Sequence, residues 1–584
     1  MRPLPRRLFA MTSAVAMTAG LLSVSTAPSA DAATSSTSKV EKRRSKAVKT
    51  PKLSWYTCYG FAKCTTVKVP LDYDKPKGTK VELALLKVPA RNQKSKIGSL
   101  FVNPGGPGGS GTAIAYGARG FLSRAVTDRF DVVGFDPRGV AFSKNVKCFS
   151  SHRNAAPVLN AITSAAFPYG SKQEKAFLKA YDKQAKGCST TGKPLSGAMS
   201  TAEVARDMDV LRRAVGDKKL TYLGLSYGSY LGEVYANLYP DRVRALAIDG
   251  VLDPVRWAGT KNTQSNPIGS RLGSAQGAYR ALNRALRLCD AAGETKCTFA
   301  AGNPVTNYER IAQRLRRAPL VEVDPDTGDR YVTTYADFVG TTLGMLYSQY
   351  YGPELVTDFA SYLAELTGVS PATAPRAETV RALIKLERSV KDQQRRTLPG
   401  KRLGFPYDNG LDAFQTIACT DSRNSKNLAG FAKRANAADK RAPYFGRLWL
   451  WNLAGCSSTK WTVKDEDAYR GPFTKTTSTP VLIVGNYWDP ATNYTGAVST
   501  SKRLPNSRLL SSNSWGHTAY GTSACVTGTV DTYLLTRRMP ATGKTCTGDY
   551  RPFQELLEGE STERSQALRR NTPVAIPPLK PGLR

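Results

Sequence analysis

The chain has 584 residues, 41% of them hydrophobic, which is enough for two domains or for one large domain carrying a long insertion. Its formal charge is +37, of which residues 1–52 supply +8 (ten Lys or Arg against Asp31 and Glu41); the other +29 is spread without a long basic run or an aromatic-basic repeat, which argues against a nucleic-acid binder. Two histidines and the absence of Cys-x-x-Cys argue against a metal centre, and no segment outside the N-terminus approaches the length of a membrane span.

In chain order, residues 1–32 read as an export signal: Arg2, Arg6 and Arg7, an apolar stretch from Leu8 to Val24, and a small-x-small site at Ala30-Asp31-Ala32. Arg6-Arg7-Leu8-Phe9 also loosely matches a twin-arginine signal, so the route of export stays open. Residues 33–52 are Ser, Thr, Lys and Arg with almost no large apolar side chain, which reads as a disordered basic leader or propeptide. From 53 to 253 strands alternate with helices. Strands are expected at Lys80–Val88, Ser99–Asn103, Phe130–Phe135, Leu220–Leu225 and Arg244–Ile248, and helices at Thr201–Val215 and Ser226–Leu238. That rhythm predicts an α/β fold with a mostly parallel sheet flanked by helices. It stops after Pro254. Residues 254–475 are mainly helical, as in Gly277–Leu288, Asn307–Arg316 and Leu355–Thr367, and read as a cap inserted before the last strands. Strands return within 476–550, at Pro480–Gly485 and Arg508–Ser511, and 551–584 is a polar, proline-rich tail. Ten cysteines suit an oxidising compartment. Sequence cannot fix their connectivity, and consecutive pairing is the simplest proposal: Cys58–Cys64, Cys148–Cys188, Cys289–Cys297, Cys419–Cys456 and Cys525–Cys546.

Gly224-Leu-Ser226-Tyr-Gly228 follows an expected strand and opens an expected helix, the setting in which a serine hydroxyl is held exposed on a sharp turn. A serine at its free pKa needs a base. With two histidines the choice is narrow: His517 lies in a loop after the last expected strand, whereas His152 lies near Cys148 and reads as a surface loop residue. Asp489, just past Val481–Val484 and 28 residues before His517, is the expected acid. The order serine, acid, histidine is that of the α/β-hydrolases. Asp136 is the rival acid, but it precedes the serine and is assigned to structuring its own Asp-Pro-Arg-Gly loop. Asn103-Pro-Gly-Gly-Pro-Gly-Gly-Ser-Gly111 follows the strand at 99–103, where this fold places its first oxyanion donor. The N–H groups of Gly106 and Tyr227 are the expected pair. A phosphate-binding loop is the rival reading of that segment, and it lacks the Gly-Lys-Ser/Thr ending.

Taken together, the glycine loop, Asp136-Pro-Arg-Gly, Gly-Leu-Ser-Tyr-Gly-Ser-Tyr-Leu-Gly, Trp-Asp489-Pro and Gly-His517 resemble the secreted tripeptidyl aminopeptidases of actinomycetes, relatives of the prolyl aminopeptidases. The resemblance runs from about 53 to 550, with Ser229 where threonine is common and the tail as an addition. It implies removal of short peptides from free N-termini, with the amine held by carboxylates from the cap side. Asp421, in Ala-Cys-Thr-Asp, is the first candidate for that role and Glu233 the second; ordinary ion pairs are the competing account. The expected protein is therefore a secreted, extracellular, monomeric serine exopeptidase acting on peptide substrates, without cofactor or metal. A basic surface could favour anionic cell walls or serve solubility alone. A secreted esterase or lipase with the same triad is the first alternative, and a non-catalytic cell-wall binding protein the second.

Overall fold

The computed structural model describes residues 34–323, 328, 330–369 and 407–554. The export signal 1–32 and the tail from 555 onward lie outside the described residues. Ten strands join one sheet in the order β1-β2-β3-β5-β4-β6-β7-β10-β11-β12. They are β1 (Tyr56–Cys58), β2 (Ala62–Pro70), β3 (Lys80–Val88), β4 (Gly98–Asn103), β5 (Phe130–Phe135), β6 (Leu220–Leu225), β7 (Val243–Asp249), β10 (Val481–Trp488), β11 (Ser507–Trp515) and β12 (Thr545–Thr547). The β1–β2, β2–β3 and β3–β5 pairs are antiparallel, and every other pair is parallel. Phe-Asp-Val-Val-Gly-Phe of β5 is buried throughout, as a strand covered on both faces must be. One face packs on helices Thr201–Ala214 and Tyr227–Leu238, the other on Gly111–Tyr116, Arg124–Arg129 and Ala524–Thr536.

The sheet positions the site through its strand order. The chain steps outward from β4 to β5 and then returns to the other side of β4 for β6. Loops leaving the carboxyl ends of β4 and β6 therefore diverge around a crevice, the usual ligand position in an open parallel sheet. Register completes the placement, because Asn103 at the end of β4 pairs with Gly224 near the end of β6.

The inserted region has its own apolar core, and it reaches beyond the expected boundary at 254. Helices His152–Thr163 and Ser171–Ser189, which precede β6, contribute Val158, Ile162, Phe177 and Tyr181 to a cluster with Leu282, Phe338, Phe359 and Trp451. His152 opens the first of these helices and is exposed, not part of a loop. The same region includes a two-stranded hairpin, β8 (Leu320–Val323) with β9 (Arg330–Thr333). Conversely, Ala413, Ile417 and Ala418 of helix Gly410–Asp421 pack into the hydrolase core.

The disorder expected of 33–52 is not found in 34–52. Ser38 caps a helix, Lys39–Ala47, whose Glu41, Arg44 and Ser45 are buried. Its attachment is ionic. Arg206 Nη2 donates to Glu41 Oε1 (2.8 Å), Arg44 Nη1 donates to the same oxygen (2.8 Å), and Arg44 Nη2 also reaches Asp74 (2.7 Å) and Asp467. A composition poor in apolar residues predicts disorder only when no buried charges are waiting to be paired. At the other end, Phe553 packs against the inserted helices and its N–H donates to Glu354 (2.7 Å). Disulfides join Cys58–Cys64, Cys148–Cys188, Cys289–Cys297, Cys419–Cys456 and Cys525–Cys546. Among the described residues no helix is long and apolar enough to cross a membrane.

Candidate active site

Ser226 occupies the turn between β6 and helix Tyr227–Leu238 with φ 57° and ψ −126°, a backbone region that costs an L-residue roughly 1–3 kcal/mol. Two bonds hold it there: Ser226 N–H donates to the Asp249 carbonyl at the end of β7, and Ser229 N–H donates back to the Ser226 carbonyl, both at 2.8 Å. The glycine at 224 is required by close packing, since a Cβ there would lie 2.3 Å from the Gly228 carbonyl oxygen. The turn leaves Ser226 partly exposed at a helix N-terminus, where negative charge is favoured.

The glycine loop after β4 rests on this turn. Gly105 has φ +90°, and a Cβ on it would come 2.5 Å from the Leu225 carbonyl oxygen and 2.8 Å from both Ser226 Cβ and Tyr227 N. Gly106 follows with φ +109°. Asn103 Oδ1 accepts from Gly105 N–H (2.9 Å), and Asp136 anchors the loop's far end by accepting from Ser110 Oγ (2.7 Å), Thr112 N–H (3.0 Å) and Phe142 N–H (2.9 Å). Burial pushes the Asp136 carboxyl up against those bonds. Asp136 thus serves the glycine loop, and a different acid meets the histidine.

That acid is Asp489, at the end of β10. His517 Nδ1 lies 3.0 and 2.9 Å from its two carboxylate oxygens. The remaining lone pairs accept from Ala491 N–H, Thr492 N–H and Thr492 Oγ1, each at 2.8 Å, and from Thr518 N–H at 3.1 Å. Burial alone would raise the Asp489 carboxyl, but the charge and hydrogen bond of His517 and the two loop N–H groups hold it below the usual range. For His517 burial opposes the proton, and Asp489, with Asp249 further off, outweighs it; the imidazole is shifted above its ordinary value.

Serine and histidine turns converge on the end of β7. The Asp249 carbonyl holds Ser226, its carboxylate accepts from Ala519 and Tyr520 N–H (2.9 and 2.7 Å), and a Cβ on Gly250 would lie 3.2 Å from His517 Cε1. Burial raises the Asp249 carboxyl to about 6. No motif marks this aspartate in the sequence, and the only cue is its place one strand beyond the serine turn. Two further elements are equally hidden there. Asn486 donates to the Gly516 carbonyl (2.9 Å), and the turn at 347–350 of the inserted region lies along the histidine loop.

Both candidates for holding a substrate amine are buried. Asp421 ends helix Gly410–Asp421 and is 2% exposed. Its oxygens already accept from Thr201 N–H (2.7 Å), Thr201 Oγ1 (2.6 Å) and Trp257 Nε1 (3.1 Å). Thr201 Oγ1 in turn meets the Tyr227 hydroxyl. Burial raises the Asp421 carboxyl to about 7 against those bonds and the nearby Arg470. It joins an inserted helix to the residue after the serine and offers no free oxygen. Glu233 lies wholly buried inside helix Tyr227–Leu238, beside Asp253, Thr500 and Arg503 of the hydrolase core, and burial drives its carboxyl well up.

A parallel sheet that presents a strained serine at its switch point, next to an Asp–His pair from later strands, is the architecture of the α/β-hydrolases, and the chain is a serine hydrolase. Residues 98–288 match the α/β-hydrolase fold family and residues 442–546 the TAP-like protein family. The chain belongs to the TAP-like α/β-hydrolases. It is 31% identical over 503 residues to serine protease Hip1 of Mycobacterium tuberculosis, covering 83% of this chain and 88% of that protein. It is 29% identical over 494 residues to a tripeptidyl aminopeptidase of Streptomyces lividans, covering 83% of each. To a carboxylesterase B of M. tuberculosis it is 29% identical over 534 residues, covering 85% of this chain and 90% of that one.

Proposed function

We propose that the protein is a secreted serine exopeptidase that releases short peptides, chiefly tripeptides, from free N-termini through an acyl-enzyme. The observation that carries the mechanism is the Asp489–His517 contact at 2.9 Å, set beside the turn that exposes Ser226. In this reading His517 takes the Ser226 proton as the hydroxyl attacks the scissile carbonyl, and returns it to the leaving amine. Asp489 holds Nδ1–H, so that Nε2 is the basic nitrogen, and stabilises the imidazolium. The N–H groups of Gly106 and Tyr227 receive the oxyanion, supported by the packing of Gly105 against Ser226 and Tyr227. Water then repeats the cycle on the ester.

Peptide substrates are favoured by the relatives named serine protease and tripeptidyl aminopeptidase. Secretion is favoured by five disulfides, which persist in oxidising compartments. The segments 53–253, apart from the helices within 152–189, and 476–550 form the hydrolase in this account, and 254–475 together with those helices limits how many residues fit before the scissile bond. The carboxylesterase relative supports an esterase as the second reading. Both are decided by chromogenic mono-, di- and tripeptides with free and acetylated N-termini, using Ser226→Ala as the blank. Turnover confined to free-amine peptides, highest for tripeptides, is the expected result. Indifference to acetylation, or reaction with simple esters alone, would leave the hydrolase and remove the aminopeptidase.

A further inference from the structure

The histidine loop is held from two sides. From the hydrolase core, Asp489 accepts from Thr518 N–H and Asn486 donates to the Gly516 carbonyl. From the inserted region comes the turn between helices Tyr335–Leu346 and Gly352–Thr367. Its Tyr347 carbonyl accepts from His517 N–H (3.1 Å), and the Tyr347 ring stands edge-on to the imidazole with centroids 5.1 Å apart. Ser348 fills the space beside Gly516, where a Cβ would lie 2.3 Å from the Ser348 carbonyl oxygen. Gln349 Nε2 donates to Thr518 Oγ1 (2.9 Å) and lies 3.3 and 3.4 Å from the carbonyl oxygens of His517 and Thr518. Tyr350 closes the turn by donating to the Gly521 carbonyl (2.6 Å).

Thr518 has φ +69°, left-handed backbone that a β-branched residue adopts only when its surroundings impose it. The Thr518 side chain and both carbonyls flanking its nitrogen and Cα converge on one amide, that of Gln349. With this amide removed, Thr518 keeps the Asp489 contact at its N–H and the longer Asn486 contact at its carbonyl (3.5 Å), and its strained φ, with the adjacent imidazole, is less firmly set.

We infer that Gln349 is a positioning residue for His517, its side-chain amide fixing the strained Thr518 and thereby the direction in which the imidazole points. The inference rests on the proposal that His517 is the general base, and it makes the inserted region a working part of the base as well as a cover. Misplacement of a reacting group by about 1 Å costs on the order of 10²-fold in rate.

Gln349→Met keeps the length of the side chain and removes the donor. The expected result is a kcat lowered about 10- to 100-fold, a KM within about twofold, and a melting temperature within a few degrees of the parent. Because the chain has two histidines, selective ¹⁵N-histidine labelling yields two imidazoles, with exposed His152 as internal reference. The His517 signal should change its titration midpoint and lose its sharp Nδ1–H resonance in Gln349→Met, while His152 is unaffected. Should that variant fail to fold, Gln349→Glu keeps the size, turns a carboxylate toward two carbonyls and is read in the same way. An unchanged kcat, or a lower kcat with an unmoved His517 resonance, overturns the inference. Full turnover by His517→Ala would instead sink the catalytic assignment, and the resonance would still report whether Gln349 holds the ring.

Discussion

Asp489 is fully buried, and what keeps it ionised is a set of short contacts rather than water. Replacing it with Asn would keep the shape and turn an amide toward His517, favouring the wrong tautomer; a fall in kcat of about 10⁴-fold is expected. The raised imidazole gives a second expectation. The base must be neutral, so activity is lost as pH falls through the folded pKa of His517. The acid limb of kcat/KM should then have its midpoint above the ordinary 6.5 and move down in Asp489→Asn, which a pH–rate profile measures directly. At this scale the sequence was unusually legible. Scarce histidine and a serine between glycines name groups that chemistry demands at fixed points. Asp249 and Gln349 were not legible, because each acts through backbone contacts made only after distant segments meet. Asp421 and Glu233 mark the opposite limit: a carboxylate in sequence says nothing of how deeply it is buried or what it bonds.

Elements followed from pattern where apolar periodicity carries the stability. Lys80–Val88 was visible by its alternation, Ser99–Asn103 and Phe130–Phe135 as apolar runs bounded by Gly and Pro, and Ser200 caps Thr201–Ala214 through Glu203 N–H. Helix Gly410–Asp421 was marked only by a short family segment, yet its last residue ties the inserted region to Thr201, Trp257 and, through Thr201, Tyr227. That contact has a pH signature. With a carboxyl at about 7 folded and 3.8 as its ordinary value, the folded state binds more protons across that window. Stability therefore falls as pH rises from about 4 to 7, by on the order of 3 kcal/mol from this group. Thermal melts of Asp421→Asn should show a shallower decline between pH 5 and 8 than the parent. Asp249 and Glu203, with carboxyls near 6 and 8, supply a slope that remains. Equal slopes in the two proteins would mean that Asp421 is ionised throughout.

The whole molecule departs most from its linear reading where segments cross boundaries. Helices at 152–189 join the inserted core although strands surround them in sequence, since apolar faces seek partners without regard to chain order. The N-terminal helix shows the same with charge. Glu41→Ala would leave Arg206 with Glu203 and Arg44 with Asp74 and Asp467, so that only the charged hydrogen bonds to Glu41 are lost, about 2–3 kcal/mol that urea unfolding would report. A loss under 1 kcal/mol would show that water replaces the carboxylate. Arg44 spans separations of 30 and 423 positions in one side chain, from Asp74 to Asp467. Ribosomes make the helix early, yet its last partner emerges only after four-fifths of the chain. Until then five Lys or Arg within Lys39–Ala47 keep that segment in water, with no apolar face to misplace. This early-made helix is thus among the last pieces to be locked, and its docking reports that assembly has reached residue 467.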